Sequence, residues 1–394
     1  MEGRTLNITM LTTIRFHQSK GGTEKVMIDT ANALTARGHK VTIIFRDKFG
    51  DDPGFYLSDR VKKINCFVNR TPLLLTGIVR VVRAFSLSKE RFDKKNSFLK
   101  LKALASRFGP SLLEVPTDVY ITYEPKLSAM LVHELHVTKP IITTFHFVPS
   151  YIAHRIDSKW ILPLIGLRTN EVIQVLAGEY VDEVKKYMPL ANNICVIPNA
   201  VTGRYERSTL SKPVIVNVGR VARQKNQILL VKAFNEVKDK FPDWKLEIWG
   251  ELNLEQTVQS EIEKFIKNNN LTNRVYLKGI SNNINEKLAN ASIFAFPSIF
   301  EGLPLALIEA MTSGLPCIGL DSCSVVNSII HENKNGYLCS SDFHDWAKVL
   351  EKLMSDKSLR ISLGQQASED AKNFSPDRIW DIWEALLDKL VDRS

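Results

Sequence analysis

The sequence predicts an α/β protein made of two parallel-sheet units, and three observations carry that expectation. Short β-branched or apolar runs alternate with helix-period segments along both halves, the pattern of strands buried between helices. The 394 residues exceed what one hydrophobic core organises, so two domains of about 200 residues are expected. A composition of 44% hydrophobic and 24% charged residues is that of a globular chain and excludes a fibrous or low-complexity one.

In the first half, strands are predicted near residues 8–11, 41–45, 61–67, 119–121, 141–144, 172–176 and 194–197. A helix over 23–36 ends in Arg37-Gly38, with Gly38 as the residue that terminates it. In the second half, strands at 214–218, 245–249, 275–277, 293–296 and 317–319 alternate with helices at 227–240, 254–267, 284–290 and 304–313. The polar stretch 201–212 reads as the junction between an N-terminal domain, 1–200, and a C-terminal domain, 213–374. Ser375-Pro376-Asp377 then opens a last helix, 375–394, with Ser375 as its cap and Pro376 at its first turn. Ile379, Ile382, Trp383, Leu386 and Leu390 make one apolar face, which must bury against one of the two domains.

Charge separates the halves. Residues 1–200 carry 28 Lys and Arg against 18 Asp and Glu, whereas residues 201–394 carry 24 against 25. Most of the excess lies in 70–107, where ten basic residues face only Glu90 and Asp93. That segment reads as a basic helical insert, with Leu74, Ile78, Val81, Val82 and Phe85 on one face. It is either a helical pair covering the N-domain sheet or a surface for anionic lipid. No basic strip interleaved with aromatics marks it for nucleic acid. Five scattered cysteines without a C-x-x-C pair suit a reducing cytoplasm, and no run of 18 apolar residues predicts a membrane span.

Two segments concentrate chemistry. After the strand at 293–296 comes Glu301-Gly302-Leu303-Pro304, then a helix bearing Glu309 among Leu307, Ile308, Ala310 and Met311. Free N–H groups at a helix start favour an anion. A carboxylate buried at 309 would need hydroxyl donors, although a lone helical Glu is ordinarily just exposed. After the strand at 214–218 comes Gly219-Arg220-Val-Ala-Arg223-Gln-Lys225, three cations in six residues. Arg as a fork and Lys as a movable point charge suit a diphosphate.

Together these motifs are similar to glycosyltransferase family 4, retaining enzymes of the GT-B fold. The likeness covers nearly the whole chain. It rests on Gly21-Gly22-Thr23-Glu24, on Pro198-Asn199-Ala200-Val201, on Gly219-Arg220 with Lys225, and on Glu301 with Glu309 as an E-x7-E pair. The resemblance implies two Rossmann-like domains facing a cleft, followed by a C-terminal helix. It implies that Arg220 and Lys225 hold the donor diphosphate, that Glu301 contacts the transferred sugar and Glu309 the ribose, and that the amides of Gly302 and Leu303 face sugar and phosphate. Gly22 would let the N-terminal loop approach, Gly250, Gly279 and Ile280 would line the base, and His146 would line the sugar pocket. Two departures stand out: Cys323-Ser-Val-Val-Asn327 replaces the usual Gly-Gly-x-Pro-Glu, and the junction lacks its usual glycine and aspartate.

The expected activity is metal-independent retaining transfer of a hexosyl or N-acetylhexosaminyl group from a nucleoside diphosphate sugar, a UDP-sugar by preference, without a cofactor. The absence of D-x-D agrees with cations replacing a metal at the phosphates. The expected acceptor is a glycan or lipid-linked glycan of envelope or extracellular polysaccharide (lipopolysaccharide, capsule), handled in the cytoplasm or peripherally at the inner membrane face. A nucleotide-sugar 2-epimerase of the same fold is the alternative.

Overall fold

A computed structural model describes residues 4–19, 21–67, 89–154 and 157–392. Contacts divide the chain into two units, one running to Asn199 and resuming at Ile379, the other covering Ala200–Arg378.

The first unit is a seven-stranded parallel sheet: β1 (Asn7–Thr12), β2 (Lys40–Phe45), β3 (Lys62–Asn65), β4 (Val119–Thr122), β5 (Ile141–Thr144), β6 (Glu171–Val175) and β7 (Ile194–Val196). Its order is β3-β2-β1-β4-β5-β6-β7, so the winding reverses between β1 and β4. Every residue of β4, β5 and β6 is buried, as strands covered on both faces must be, whereas edge strand β3 shows Lys62 and Lys63 to solvent. The helices are α1 (Gly22–Ala36), α2 (Lys89–Leu113), α3 (Pro125–His133), α4 (Pro149–Ala153), α5 (Ser158–Ile161) and α6 (Glu179–Tyr187).

Gly38 ends α1 as the sequence implies. At φ +98° it lets its own N–H reach Thr35 O and that of His39 reach Leu34 O, both at 3.1 Å. Beyond β2, the buried Asp47 carboxylate accepts from the amides of Phe16 and His17 at 2.8 Å and of Phe49 at 2.9 Å. Burial alone would raise its pKa, but these three donors outweigh burial and hold it below the usual carboxylate range.

The second unit is a six-stranded parallel sheet: β8 (Val214–Val218), β9 (Lys245–Trp249), β10 (Val275–Gly279), β11 (Ile293–Phe296), β12 (Cys317–Leu320) and β13 (Gly336–Cys339). The order β10-β9-β8-β11-β12-β13 again reverses once, between β8 and β11. Its helices are α7 (Gln227–Val237), α8 (Gln256–Asn268), α9 (Ile284–Ala289), α10 (Leu305–Thr312), α11 (Ser324–Asn327), α12 (Phe343–Ser355) and α13 (Lys357–Ala371). Of these, β13, α11, α12 and α13 were not read from the sequence. Strand β13 is four residues long, too short for a period to show, although α12 buries Trp346, Leu350 and Leu353 in regular helical spacing.

The last helix, α14 (Pro376–Val391), corrects the sequence reading of its face. Ile379, Trp380, Trp383, Leu387 and Leu390 are buried, while Ile382 is 36% exposed. The helix is rotated so that both tryptophans enter the first unit, which receives it from Ile379 onward. Arg37 pairs with Asp381 at 2.8 Å. His39 accepts the Leu6 amide at Nδ1 (3.2 Å), so its Nε2 carries the proton and donates to Glu384 at 3.0 Å. Of the basic segment 70–107, residues 70–88 lie outside the described residues, together with the apolar face read there; the rest belongs to α2.

Trp383→Ala should therefore lower stability by about 3–5 kcal/mol, the scale of a truncated core aromatic. Ile382→Ala should cost less than about 1 kcal/mol. Chemical denaturation of the two variants checks which face is inside.

Candidate active site

Parallel α/β sheets offer ligands a crevice where the winding reverses, beyond the carboxyl ends of the two strands that part there. In the second unit those strands are β8 and β11, paired with Ile293 opposite Ile215 and Phe294 opposite Val216. The loop after β8 carries Gly219, Arg220 and Lys225, and the loop after β11 carries Glu301, Gly302 and Leu303. Both sequence-predicted clusters thus leave neighbouring strands in the same direction.

They also touch. Nζ of Lys225 lies 2.5 Å from a carboxylate oxygen of Glu301, with the two side chains only 16% and 10% exposed. The lysine stem runs across Gly219, whose missing side chain would stand 3.3 Å from its Cδ and Cε, and the ammonium lies 5.0 Å from the Phe296 ring centre. Gln224 ties the two loops together. Its carbonyl accepts the Ile299 amide at 2.9 Å, its side-chain amide donates to Phe300 O at 2.7 Å, and its side-chain oxygen accepts from Arg220 at 3.0 Å. The Arg220 side chain remains on the exposed side of this clasp.

Gly250 makes the turn possible. At φ +147° any Cβ there would sit 2.2 Å from Gly219 O, so the β9 loop passes the β8 loop only as bare backbone. Its amide donates to Gly279 O at 2.9 Å, and beside Gly279 (φ +72°) Ile280 is 68% exposed. Helix α10 begins one residue later than expected. The Leu305 amide turns back onto Leu303 O at 2.9 Å, leaving Pro304 as the residue before the helix, with its carbonyl accepting from Leu307 and Ile308. Glu309 is half-buried, neither a plain surface residue nor a core one.

Sequence reasoning missed Gln224, and it missed the buried polar groups under the loops: Asn217, whose amide donates to Ala295 O at 2.8 Å, Gln227, which donates to Arg220 O at 2.9 Å, and Ser298. Cys323, noted only as a departure from the family pattern, lies against Glu301. Burial first, then the Glu301 charge, pushes its thiol up to about 11, against a hydrogen bond from the Val326 amide. It is an uncharged neighbour rather than a nucleophile.

Gly22 and His146 belong to the first unit. Gly22 is the first residue of α1, and a Cβ there would meet nothing within 4 Å. Glu24 folds back so that a Cβ on Gly21 would meet its carboxylate, which accepts from Ser19 at 2.7 Å. His146 follows β5, stacks on Tyr123 with ring centres 5.0 Å apart, and hydrogen-bonds Thr144 at 2.9 Å. Burial pulls its pKa down to about 4, opposed only in part by the Asn199 side chain. Tyr123, buried, has its phenol pushed up by burial against a bond with Thr30 of α1. At the reversal of this sheet Glu124 accepts from Thr13 through its amide and its hydroxyl, at 2.5 and 2.7 Å. Among the described residues no cluster of metal-ligating side chains occurs.

Two families match side by side. Residues 20–202 match the family described as Glycosyltransferase Family 4, and residues 205–370 match Glycosyl transferases group 1. The chain belongs to the glycosyltransferases of this family, with two parallel α/β units of the GT-B kind, and it is a glycosyltransferase. It is 25% identical over 373 residues to an uncharacterized glycosyltransferase of Haemophilus influenzae, covering 94% of this chain and 97% of that one. It is 24% identical over 381 residues to a Campylobacter jejuni GalNAc-alpha-(1->4)-GalNAc-alpha-(1->3)-diNAcBac-PP-undecaprenol alpha-1,4-N-acetyl-D-galactosaminyltransferase, covering 94% and 95%. Among solved structures, sucrose-phosphate synthase of Thermosynechococcus elongatus superposes with a TM-score of 0.76 at 18% identity over 99% of this chain and all of that one. TarM of S. aureus, solved with UDP, fondaparinux and α-GlcNAc-glycerol, gives 0.73 at 17% identity over 97% of this chain and all of that one.

With its pKa depressed, His146 should be neutral throughout the physiological range, so its imidazole resonance should titrate near pH 4 rather than 6.5 in an NMR series. Its contribution to stability is complete above the unfolded value near 6.5 and is lost as pH falls toward 4. His146→Gln should remove that part of the acid sensitivity.

Proposed function

We propose that the protein transfers a hexosyl or N-acetylhexosaminyl group, with retention, from a nucleoside diphosphate sugar to a glycan or lipid-linked acceptor of a surface polysaccharide. The observation that carries this reading is the 2.5 Å contact between Lys225 and Glu301, which joins a diphosphate-type cation loop to a sugar-type carboxylate loop at the sheet reversal. Acceptors named for relatives, a diphospho-undecaprenol glycan and a poly(ribitol-phosphate), support the acceptor class.

In the proposed mechanism Arg220 and Lys225 neutralise the β-phosphate as the bond from the anomeric carbon to its oxygen breaks, the electron pair staying on that oxygen. The acceptor hydroxyl attacks from the face the phosphate leaves, and its proton passes to a phosphate oxygen, so configuration is kept without an enzyme nucleophile. Glu301 and Glu309 orient the sugar and the ribose through their hydroxyls, Gly302 and Leu303 offer amides, and the loops at Gly250, Gly279 and Ile280 flank the base. His146, held neutral, offers the first unit an uncharged hydrogen-bonding group.

Helix α2 supports peripheral attachment to anionic lipid. Lys95, Leu99 and Lys102 share one exposed face with Leu113, Leu99 being 55% and Leu113 90% exposed. Other cations of this helix are engaged within the protein: Lys100 pairs with Asp157 at 2.7 Å, and Lys94 lies 5.5 Å from the Trp160 ring centre. Among the described residues no helix is long and apolar enough to cross a membrane.

Incubation with nucleotide sugars should release nucleoside diphosphate slowly, undiminished by excess chelator, and Arg220→Ala should slow it by about 10². Interconversion of sugars at C2 without release would identify the epimerase instead. In liposome flotation, binding should require anionic lipid and fall at high salt. It should weaken when Lys95 and Lys102 become Gln and change little for Lys100→Gln, since each surface cation contributes about 1 kcal/mol.

A further inference from the structure

Lys225 is neutralised before any ligand arrives. Its ammonium faces a Glu301 oxygen at 2.5 Å, in a place where neither side chain is more than 16% exposed, so water replaces either partner poorly. A diphosphate that draws on Lys225 therefore competes with an internal anion. The cost differs between ligands. A bare nucleoside diphosphate takes the cation and offers Glu301 nothing in return. A sugar diphosphate brings hydroxyls that donate to the carboxylate as the lysine turns away.

We propose that Glu301 is a specificity-determining stand-in anion: it holds Lys225 until a phosphate-linked sugar replaces the lysine on the carboxylate, and so ranks the sugar donor above the bare nucleoside diphosphate. This rests on the donor reading of the site given above. The surroundings favour an exchange rather than a rigid pair. The lysine stem crosses Gly219, where no side chain obstructs its swing, and the Glu301 loop is held from the other side by Gln224 through Ile299 and Phe300, so the cation rather than the carboxylate moves. Cys323 beside Glu301 stays a neutral thiol and supplies no replacement charge. After transfer the sugar is gone, Glu301 reclaims Lys225, and the nucleoside diphosphate is expelled. One residue thereby selects the substrate and speeds release of the product.

The test is calorimetric titration of UDP, GDP and ADP into the full chain and into Glu301→Gln, Lys225→Gln and the double variant, in metal-free buffer, with folding verified by thermal melting. The parent should bind one of these nucleotides. Glu301→Gln should bind it about tenfold more tightly, while losing turnover of the matching sugar donor, and the gain should vanish in the Lys225→Gln background, where there is no cation to release. If Glu301→Gln fails to fold, Glu301→Asp, which withdraws the carboxylate by one methylene, carries the same expectation. Unchanged or weaker nucleotide binding by the Glu301 variant, with the parent binding normally, means Lys225 serves both anions at once and overturns the stand-in role alone. If the parent binds none of the three nucleotides, the donor reading itself falls and takes this role with it.

Discussion

Because β8 and β11 are hydrogen-bonded neighbours, two loops whose key residues stand 76 positions apart in the chain leave the second sheet side by side. Every chemical feature of that unit depends on this pairing. It brings Lys225 to Glu301 and lets Gln224 span from Arg220 to Phe300. If β11 lay elsewhere in the sheet, the same residues would be a solvated cation run and a loop carboxylate with no cation beside it.

The first unit builds the corresponding end of its sheet differently. Its reversal, between β1 and β4, is occupied by its own carboxylates: Glu124 on Thr13, and Asp47 on the amides of Phe16 and His17. These acids are committed to ordering loops. The C-terminal helix belongs to this unit. It sets two buried tryptophans, the Arg37–Asp381 ion pair and the His39–Glu384 hydrogen bond against the turn that joins α1 to β2.

Charge follows the same division. The excess of the first half resides largely in the segment that includes α2. Part of that charge is met within the chain, as Lys100 with Asp157 shows. What remains outward on α2 is a narrow stripe of cations mixed with leucines, and sequence counting could not separate the two populations because both have the same composition.

Local order was legible in the sequence because it depends on neighbours in the chain. Strand runs, the Gly38 terminus of α1 and the Ser375-Pro376 start of α14 follow from short-range sterics and hydrogen bonding. The residues of the candidate site were legible too, since their spacing within each loop resembles that of a known family. Three things needed the tertiary structure. The rotation of α14 was decided by which aromatic volume the first unit accommodates, so Trp380 and Leu387 replaced Ile382 and Leu386 inside. The role of Gln224 depends on contacts to residues 299 and 300, which no periodicity reports. The neutralised state of Lys225 depends on a carboxylate reached only through strand order, because a charge in a sequence has no partner until the fold assigns one.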